Sequence, residues 1–508
     1  MSKQSAQQIR RVLVANRGEI AIRIFQACRE RGIESVAVFS EADASAPHRY
    51  AADEAVRIGP APPAESYLRF DKLIEAALRT EADAIHPGYG FLSENANFAR
   101  AVEEAGLIFI GPTPEQIESM GDKVRARELM GAASVPIIPG TDSPIDDKKT
   151  LQKEAKRIGY PLLLKAAGGG GGKGIRRVDQ KKDLISAWER TRSEAQAAFA
   201  DGRVYIERFL SPSRHIEAQI VGDGDGSVWF LGERECSLQR NHQKVLEESP
   251  SPVIDDEVRA KLRAAAIAGA AAIHYRGAGT MEFLYNESTR EFFFLEMNTR
   301  LQVEHPVTEM VSGIDLVGMQ LDIASGKKLE HDPELPLRGW SIEFRICAED
   351  PYRNFIPSTG QIRALRIPHA PFCRIDGSIR EGLEITPYYD PMLAKAIVWG
   401  ENRDQAVERL SALLSRLRIG GIHTTVPLGI ELCNQDWFIA GQFDTSTLES
   451  WLQQRSEEKL QPDTLQLVSA VIARHALGTA RTQTSPASPG GGAWGKAART
   501  EGIRNPLL

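Results

Sequence analysis

The sequence predicts an α/β unit at its start and a strand-rich α+β region behind it. Three observations carry this: strand–turn–helix alternation through residues 12–110, an unbroken glycine run close behind an apolar strand, and closely spaced strand patterns across residues 211–452. Strands that alternate with helices imply a mainly parallel sheet.

Residues 12–15 read as a buried strand and Asn16-Arg17-Gly18 as a turn. Ala21, Ile24, Phe25 and Cys28 follow at helical spacing, with Gly32 placed as the C-cap. Residues 35–39 form a second strand. Residues 82–85 lead into the loop His86-Pro87-Gly88-Tyr89-Gly90-Phe91, and residues 107–110 run into Gly111-Pro112. The first turn holds one glycine rather than GxGxxG, so a dinucleotide site is poorly supported there. Between residues 135 and 210, Leu162-Leu163-Leu164-Lys165 is an apolar strand ending on lysine. The run Gly168, Gly169, Gly170, Gly171 and Gly172 follows, then a polar helix around 181–200 and a strand at 204–207. Further strands are expected at 216–221, 227–231, 280–284, 291–297 and 393–398. Residues 479–496, rich in Thr, Ser, Pro and Gly, are expected to bury little surface.

A chain of 508 residues has room for roughly three packing units. Its net charge of −6 argues against general nucleic-acid binding, while a local basic cleft could still hold a phosphate. No apolar run is long enough to span a bilayer, and the polar residues 1–11 lack the apolar core of a secretory signal. The five cysteines are far apart and show neither a disulfide framework nor CxxC spacing. A reducing compartment is expected, the cytoplasm by default.

The chemistry-bearing residues begin with Glu296-Met297-Asn298-Thr299-Arg300-Leu301-Gln302-Val303-Glu304, which follows the apolar run Phe292-Phe293-Phe294-Leu295. If the extended form continues, Glu296, Asn298, Arg300, Gln302 and Glu304 share one face. That row could hold a magnesium-bound phosphate beside a small anion, or it could be a solvated strand. Glu282 favours the first reading. Residues 281–284 form the neighbouring strand of a hairpin turning at Asn286-Glu287-Ser288-Thr289, which brings Glu282 near Glu296. Two carboxylates and an amide suit Mg²⁺. The glycine run is either a linker or a lid whose amides approach phosphate; it lacks Walker A spacing. Gln239-Arg240-Asn241-His242-Gln243-Lys244 is either a solvated loop or a phosphate or bicarbonate contact. Cys236 has no assigned base, so a nucleophile role is not supported.

These segments together resemble the biotin carboxylase family of ATP-grasp enzymes through nearly all of residues 11–452. The markers are Ala15-Asn16-Arg17-Gly18-Glu19-Ile20, His86 through the loop to Leu92-Ser93-Glu94-Asn95, Met120-Gly121-Asp122-Lys123, Lys165 with its glycines, Arg240-Asn241-His242-Gln243-Lys244-Val245, and Glu296 through Glu304-His305-Pro306-Val307-Thr308-Glu309. The resemblance implies a Rossmann-like pre-ATP-grasp N-terminal domain (1–120). An ATP-grasp domain (121–335) follows, with a lid at about 136–210. A biotin carboxylase C-terminal domain (336–452) and a partly flexible extension (453–508) complete the chain.

The resemblance also implies roles. Lys123 and Lys165 would contact ATP phosphates, and Gly168 to Gly172 would close over them. Glu207 and Leu210 would hold the adenine edge; His215, Gln239 and His242 would line the nucleotide site. Glu282, Glu296 and Asn298 would carry two magnesium ions, which manganese can replace. Lys244, Arg300, Gln302 and Val303 would cradle bicarbonate. Glu304 would be the general base, and Arg345 would stabilise the biotin enolate. Lys173 and Ile175 stand where arginine and methionine are common, which exchanges like for like.

Biotin is attached at the lysine of a Met-Lys pair, and none of the eight methionines is followed by lysine. Biotin is therefore expected as a substrate borne on a separate biotin carboxyl carrier protein, and the stretch after Leu452 is too short for a carboxyltransferase. The expectation is the carboxylase component of an acyl-CoA (acetyl- or propionyl-CoA) or pyruvate carboxylase built from several different chains. It would be a homodimer that meets carboxyltransferase subunits and neither nucleic acid nor membrane. Another ATP-grasp ligase and an inactive assembly homologue are the alternatives, although no magnesium ligand or base is missing. Apolar Leu465, Val468, Val471 and Ile472, then Trp494 beyond a Pro/Gly-rich tether, mark either a docking element or a frayed terminus.

Overall fold

The computed structural model describes residues 8–141, 143–167, 174–241, 243–330 and 336–457. The first sheet comprises β1 (Arg11–Val14), β2 (Glu34–Ser40), β3 (Glu54–Gly59), β4 (Ala84–His86) and β5 (Ile108–Phe109). Its order is β3-β2-β1-β4-β5 and every pairing is parallel, as the alternation predicts. Sequence patterning did not reveal β3, whose exposed Glu54, Ala55 and Arg57 mask it as an edge strand. The helix Gly18–Glu30 buries Ile20, Ala21, Ile24, Phe25, Ala27 and Cys28 against this sheet. Each large side chain so buried contributes about 1.5–3 kcal/mol. Gly32, at φ +65°, takes the left-handed conformation just past the helix end.

Strand order reverses between β1 and β4, the place where open α/β sheets leave a crevice. The loops after these two strands are laced together. Asn16 Nδ2 donates to Pro87 O at 2.8 Å and to Tyr89 O at 2.7 Å.

A second, three-stranded sheet comprises β6 (Leu162–Ala166), β7 (Ile175–Val178) and β8 (Val204–Arg208) in antiparallel order β7-β6-β8. The helices Lys148–Ile158 and Leu184–Phe199 belong to the same small core, with Leu151, Leu162, Leu164, Trp188 and Ile206 buried in it. Lys165 pairs with Ile175, so the glycine run joins β6 to β7; the glycines at 168–172 themselves lie outside the described residues.

The third sheet has eight antiparallel strands. They are β9 (Arg214–Asp223), β10 (Val228–Arg240), β11 (Gln243–Ser249), β12 (Arg276–Asn286), β13 (Glu291–Asn298), β14 (Trp340–Cys347), β15 (Cys373–Gly377) and β16 (Met392–Gly400). Their order is β13-β12-β9-β10-β11-β14-β16-β15. The helix Asp256–Ala272 packs Val258 and Leu262 into a core with Ile216, Phe230, Met281, Phe283 and Phe294.

Two expectations are corrected here. β10 continues to Arg240, far past the expected 227–231, because its charged middle is buried and paired. Glu233 meets Arg259 at 2.8 Å and Arg234 meets Glu217 at 2.9 Å. The polar row expected along residues 296–304 breaks after Asn298. The strand stops there, the chain turns, and Glu304 becomes the N-cap of the helix His305–Ser312. Pro306 in the first helical turn suits that start. Arg300, Gln302 and Glu304 therefore do not continue the face of β13.

Among the described residues no helix is long and apolar enough to cross a membrane, and all five cysteines are free. Residues 458–508, including the expected element around Trp494, lie outside the described residues.

Candidate active site

A cavity of about 830 Å³ opens where the loops after β1 and β4, the β6–β8 sheet and the eight-stranded sheet converge. Thirteen sequence-predicted residues line it: Lys123, Lys165, Leu210, His215, Gln239, Lys244, Glu282, Glu296, Asn298, Arg300, Gln302, Val303 and Arg345. Glu207 and Glu304 are not on its wall but are buried. His242 lies outside the described residues.

Glu282 and Glu296 are paired in register across β12 and β13, and Thr280 pairs with Asn298. Asn298 Nδ2 donates to Glu282 Oε1 at 2.7 Å, and Gln302 Nε2 reaches the same oxygen at 3.2 Å. His215 Nε2 lies 3.0 Å from Glu282 Oε2. Lys123 Nζ donates to Glu296 Oε2 at 3.2 Å. Asp122 holds Lys123 at the first position of its helix by capping Val124 N and Arg125 N. Burial pushes the Glu282 carboxyl up, but Lys244 and His215 outweigh it and hold the carboxyl well below the usual range.

Behind the cavity wall, Lys244 Nζ lies 2.7 Å from Glu304 Oε1 and Arg345 Nη2 lies 3.0 Å from Glu304 Oε2. Lys244 also donates to Glu282 at 3.2 Å and to the buried Glu217. Burial and Glu217 raise the Glu304 carboxyl, yet Lys244, Arg345 and Arg234 more than offset them, so it is ionised at neutral pH. Arg300 is clamped three ways: to Glu94 Oε2 (2.9 Å), Asn298 Oδ1 (3.0 Å) and Gln302 Oε1 (2.8 Å). The carbonyl of Val303 accepts from the buried Lys395 at 2.7 Å.

At the β6–β8 side, Glu207 is gripped by Lys165 at 2.5 Å and Arg127 at 2.7 Å. Its carboxylate is thereby committed to two cations, and Leu210 is the member of the expected adenine pair whose side chain reaches the cavity.

Sequence reasoning missed several partners. Glu217 could have been found, since it follows His215 at the two-residue spacing of one strand face. Glu94 belongs to the loop motif running from His86 to Asn95, where nothing local signals a role. Arg127, Glu247 and Lys395 had no local signal, because chain segments distant in sequence bring them in. Cys236 is buried, and burial pushes its thiol well above the ordinary value, which fits its rejection as a nucleophile.

Three family models match this chain. Residues 8–117 match the biotin carboxylase N-terminal domain, 122–332 the carbamoyl-phosphate synthase L chain ATP binding domain, and 343–450 the biotin carboxylase C-terminal domain. Biotin carboxylase 1 of Bacillus subtilis is 48% identical over 444 residues, covering 87% of this chain and 99% of that protein. The chain belongs to the biotin carboxylase family. A pyruvate carboxylase subunit of Methanothermobacter thermautotrophicus is 47% identical over 442 residues, 87% of this chain and 90% of that one. A biotin carboxylase domain dimer of the Hydrogenobacter thermophilus 2-oxoglutarate carboxylase, solved with MgADP, ADP and bicarbonate, superimposes with a TM-score of 0.84. It shares 43% identity over 90% of this chain and all of that one. The present chain is accordingly an ATP-dependent ligase that carboxylates biotin.

The residues present fit magnesium. Glu282, Glu296 and Asn298 are hard oxygen donors on adjacent strands, a set that would hold magnesium together with substrate phosphate. The protein's own cations, Lys123, Lys244 and His215, surround those carboxylates. His215, Glu217 and Glu282 form a tighter cluster, with ligand atoms within 4.8 Å, but a histidine nitrogen suits magnesium less well than oxygen does.

Proposed function

We propose that Glu304 is the general base of this reaction and that Lys244, Arg300, Gln302 and Val303 cradle bicarbonate in front of it. The observation that carries the reading is the fully buried, ionised Glu304 held between Lys244 and Arg345, two residues of the cavity wall. Two cations flanking one carboxylate suit a site where a base must meet an anionic substrate. Glu304 takes the bicarbonate proton, and the resulting anion attacks the γ-phosphate of ATP, forming carboxyphosphate as ADP leaves. Lys123 and Lys165 bind the phosphates, and Leu210, His215 and Gln239 line the nucleotide's place. Glu282, Glu296 and Asn298 would hold magnesium, two ions by this reading and replaceable by manganese, which screens phosphate charge when bound. Carboxyphosphate then releases CO₂ and phosphate. The phosphate takes the ureido proton of biotin, Arg345 holds the oxygen that becomes negative, and the ureido nitrogen bonds to the CO₂ carbon to give carboxybiotin.

The same reading divides the chain at 1–120, 121–335 and 336–452. It places the enzyme in the cytoplasm as a homodimeric component of an acyl-CoA or pyruvate carboxylase. Biotin arrives on a carrier protein and leaves for carboxyltransferase subunits. Supporting this are the likeness to the dimeric Hydrogenobacter domain and to the Methanothermobacter protein.

The test uses purified chain, MgATP, radiolabelled bicarbonate and free biotin. Labelled carboxybiotin and ADP should form together. Glu304→Gln should bind ATP normally but lose roughly 10²–10⁴ in bicarbonate-dependent turnover. Near-normal turnover in that variant refutes the base assignment.

A further inference from the structure

Four ionisable side chains share one buried face of the eight-stranded sheet. Glu247 on β11 stands opposite Glu343 on β14, and Arg345 stands opposite Lys395 on β16. Glu247, Glu343 and Lys395 are 0% exposed. Arg345 bridges two carboxylates: its Nε donates to Glu247 Oε1 at 2.6 Å with Nη2 2.5 Å from the same oxygen, and its Nη2 also donates to Glu304 Oε2 at 3.0 Å. Both Glu343 oxygens and Glu247 Oε2 are buried with no hydrogen-bond partner among the described residues.

Two like carboxylates directly opposite each other do not both ionise in such a place. Burial above all, helped by Glu247, keeps Glu343 protonated well beyond the ordinary range despite Lys395. Burial pushes Glu247 up to about 7, with Arg345 pulling the other way. At pH 8 Glu247 is therefore the charged member of the pair.

We propose that Glu247 is a positioning residue that keeps Arg345 aimed into the cavity while Glu304 changes charge. The inference rests on the roles of Glu304 and Arg345 given above. When Glu304 accepts a proton it stops being an anion, and its hold on Arg345 weakens. A guanidinium tethered by Glu304 alone would then recover its rotamer freedom at the moment it is needed. Glu247 does not exchange protons with the substrate. Its contacts to Nε and Nη2 hold one edge of the guanidinium, while the second Nη2 hydrogen, released by Glu304, becomes free for the developing ureido oxygenate. Protonation of the base and arming of the oxyanion donor are thus one event, passed through a single arginine. Glu343, kept neutral, supplies no rival anion to draw the guanidinium away from the cavity.

The test is a double-mutant cycle at pH 8 with Glu247→Gln, Arg345→Gln and the pair, measured as carboxylation of free biotin at saturating ATP and bicarbonate. Glu247→Gln is near-isosteric and keeps an acceptor oxygen. It should lower kcat by roughly 10–100-fold, the scale seen when a supporting contact of a functional group is lost. The KM for biotin should rise while the KM for ATP moves less than about twofold, a split that general loss of structure would not produce. In the Arg345→Gln background the same change should cost less than about twofold, because its target is gone. Glu247→Asp, which keeps the charge but retracts it by one methylene, should give an intermediate loss. If Arg345→Gln itself carboxylates biotin almost normally, the role of Arg345 falls and this inference with it. If Arg345→Gln is severe while Glu247→Gln is within twofold of the parent, or equally damaging in both backgrounds, only the positioning role of Glu247 is overturned.

Discussion

Glu282 and Glu296 stand directly opposite each other on β12 and β13. Like charges so placed repel, and the fold tolerates them because Lys244 and His215 attend one and Lys123 the other. By the proposed reading, a doubly charged cation bound between them would relieve that repulsion. Replacing both by glutamine should raise the magnesium concentration needed for half-maximal ATP turnover by at least about tenfold. A magnesium titration superimposable on that of the parent would mean that the two carboxylates only decorate the sheet.

The Glu304 carboxyl is held down by cations against burial, which fixes the direction of a pH effect. A depressed carboxyl keeps its charge until pH falls well into the acid range. Removing Lys244 takes away a favourable charge, so Glu304 should protonate at a higher pH. In Lys244→Gln the acid limb of bicarbonate-dependent ATP turnover should therefore move to higher pH, whatever the fall in absolute rate. A limb that stays in place, or moves to lower pH, contradicts the pairing.

Glu94 fixes Arg300 from a loop of the first sheet, across more than 200 residues of sequence. Glu94→Gln keeps the shape and removes the charge-assisted bond. The KM for bicarbonate should rise by roughly tenfold, the scale of one hydrogen bond to a charged group, with the KM for ATP much less affected. Steady-state kinetics with each substrate varied in turn would decide this.

His48 is fully buried in the first domain, and burial, with Arg17 adding and Asp43 opposing, pushes its imidazole down to about 4. The unfolded chain binds that proton near 6.5, so stability is complete above that pH and is lost as pH falls toward 4. The loss amounts to roughly 3 kcal/mol for this one group. His48→Gln should flatten the fall in melting temperature between about pH 6.5 and 4.5. An undiminished pH dependence in the variant would place the acid sensitivity elsewhere, for instance at His86, which burial also keeps neutral.

The first sheet was legible apart from its edge strand β3, because β1, β2 and β4 are largely buried and the helix behind β1 shows an apolar stripe from Ile20 to Cys28. The middle of β10 was not, because Glu233, Arg234 and Glu235 read as surface residues until their partners are known. Hydropathy cannot register a charge that another strand neutralises. Thirteen of the residues expected at the site meet around one cavity, and the hairpin that pairs Glu282 with Glu296 is the one the sequence predicts. The geometry offered for Arg300, Gln302 and Glu304 was wrong in its path, since period-two alternation says nothing about where a strand stops. A turn, not a strand face, delivers those three to the same neighbourhood. Glu247 stayed hidden because its meaning arises only where β11 meets β14.

The domain boundary expected near residue 336 falls between β11 and β14 in sequence, yet these strands are hydrogen-bonded neighbours, with Leu246 opposite Phe344 and Glu248 opposite Ile342. Scission of the chain there would not yield two independent pieces. Pulling them apart would strip each of a ladder and leave two open, adhesive edges in the middle of a continuous sheet. Lys244 and Arg345, from these two strands, both reach Glu304, so their approach is set within one continuous sheet. It does not depend on the docking of separate bodies.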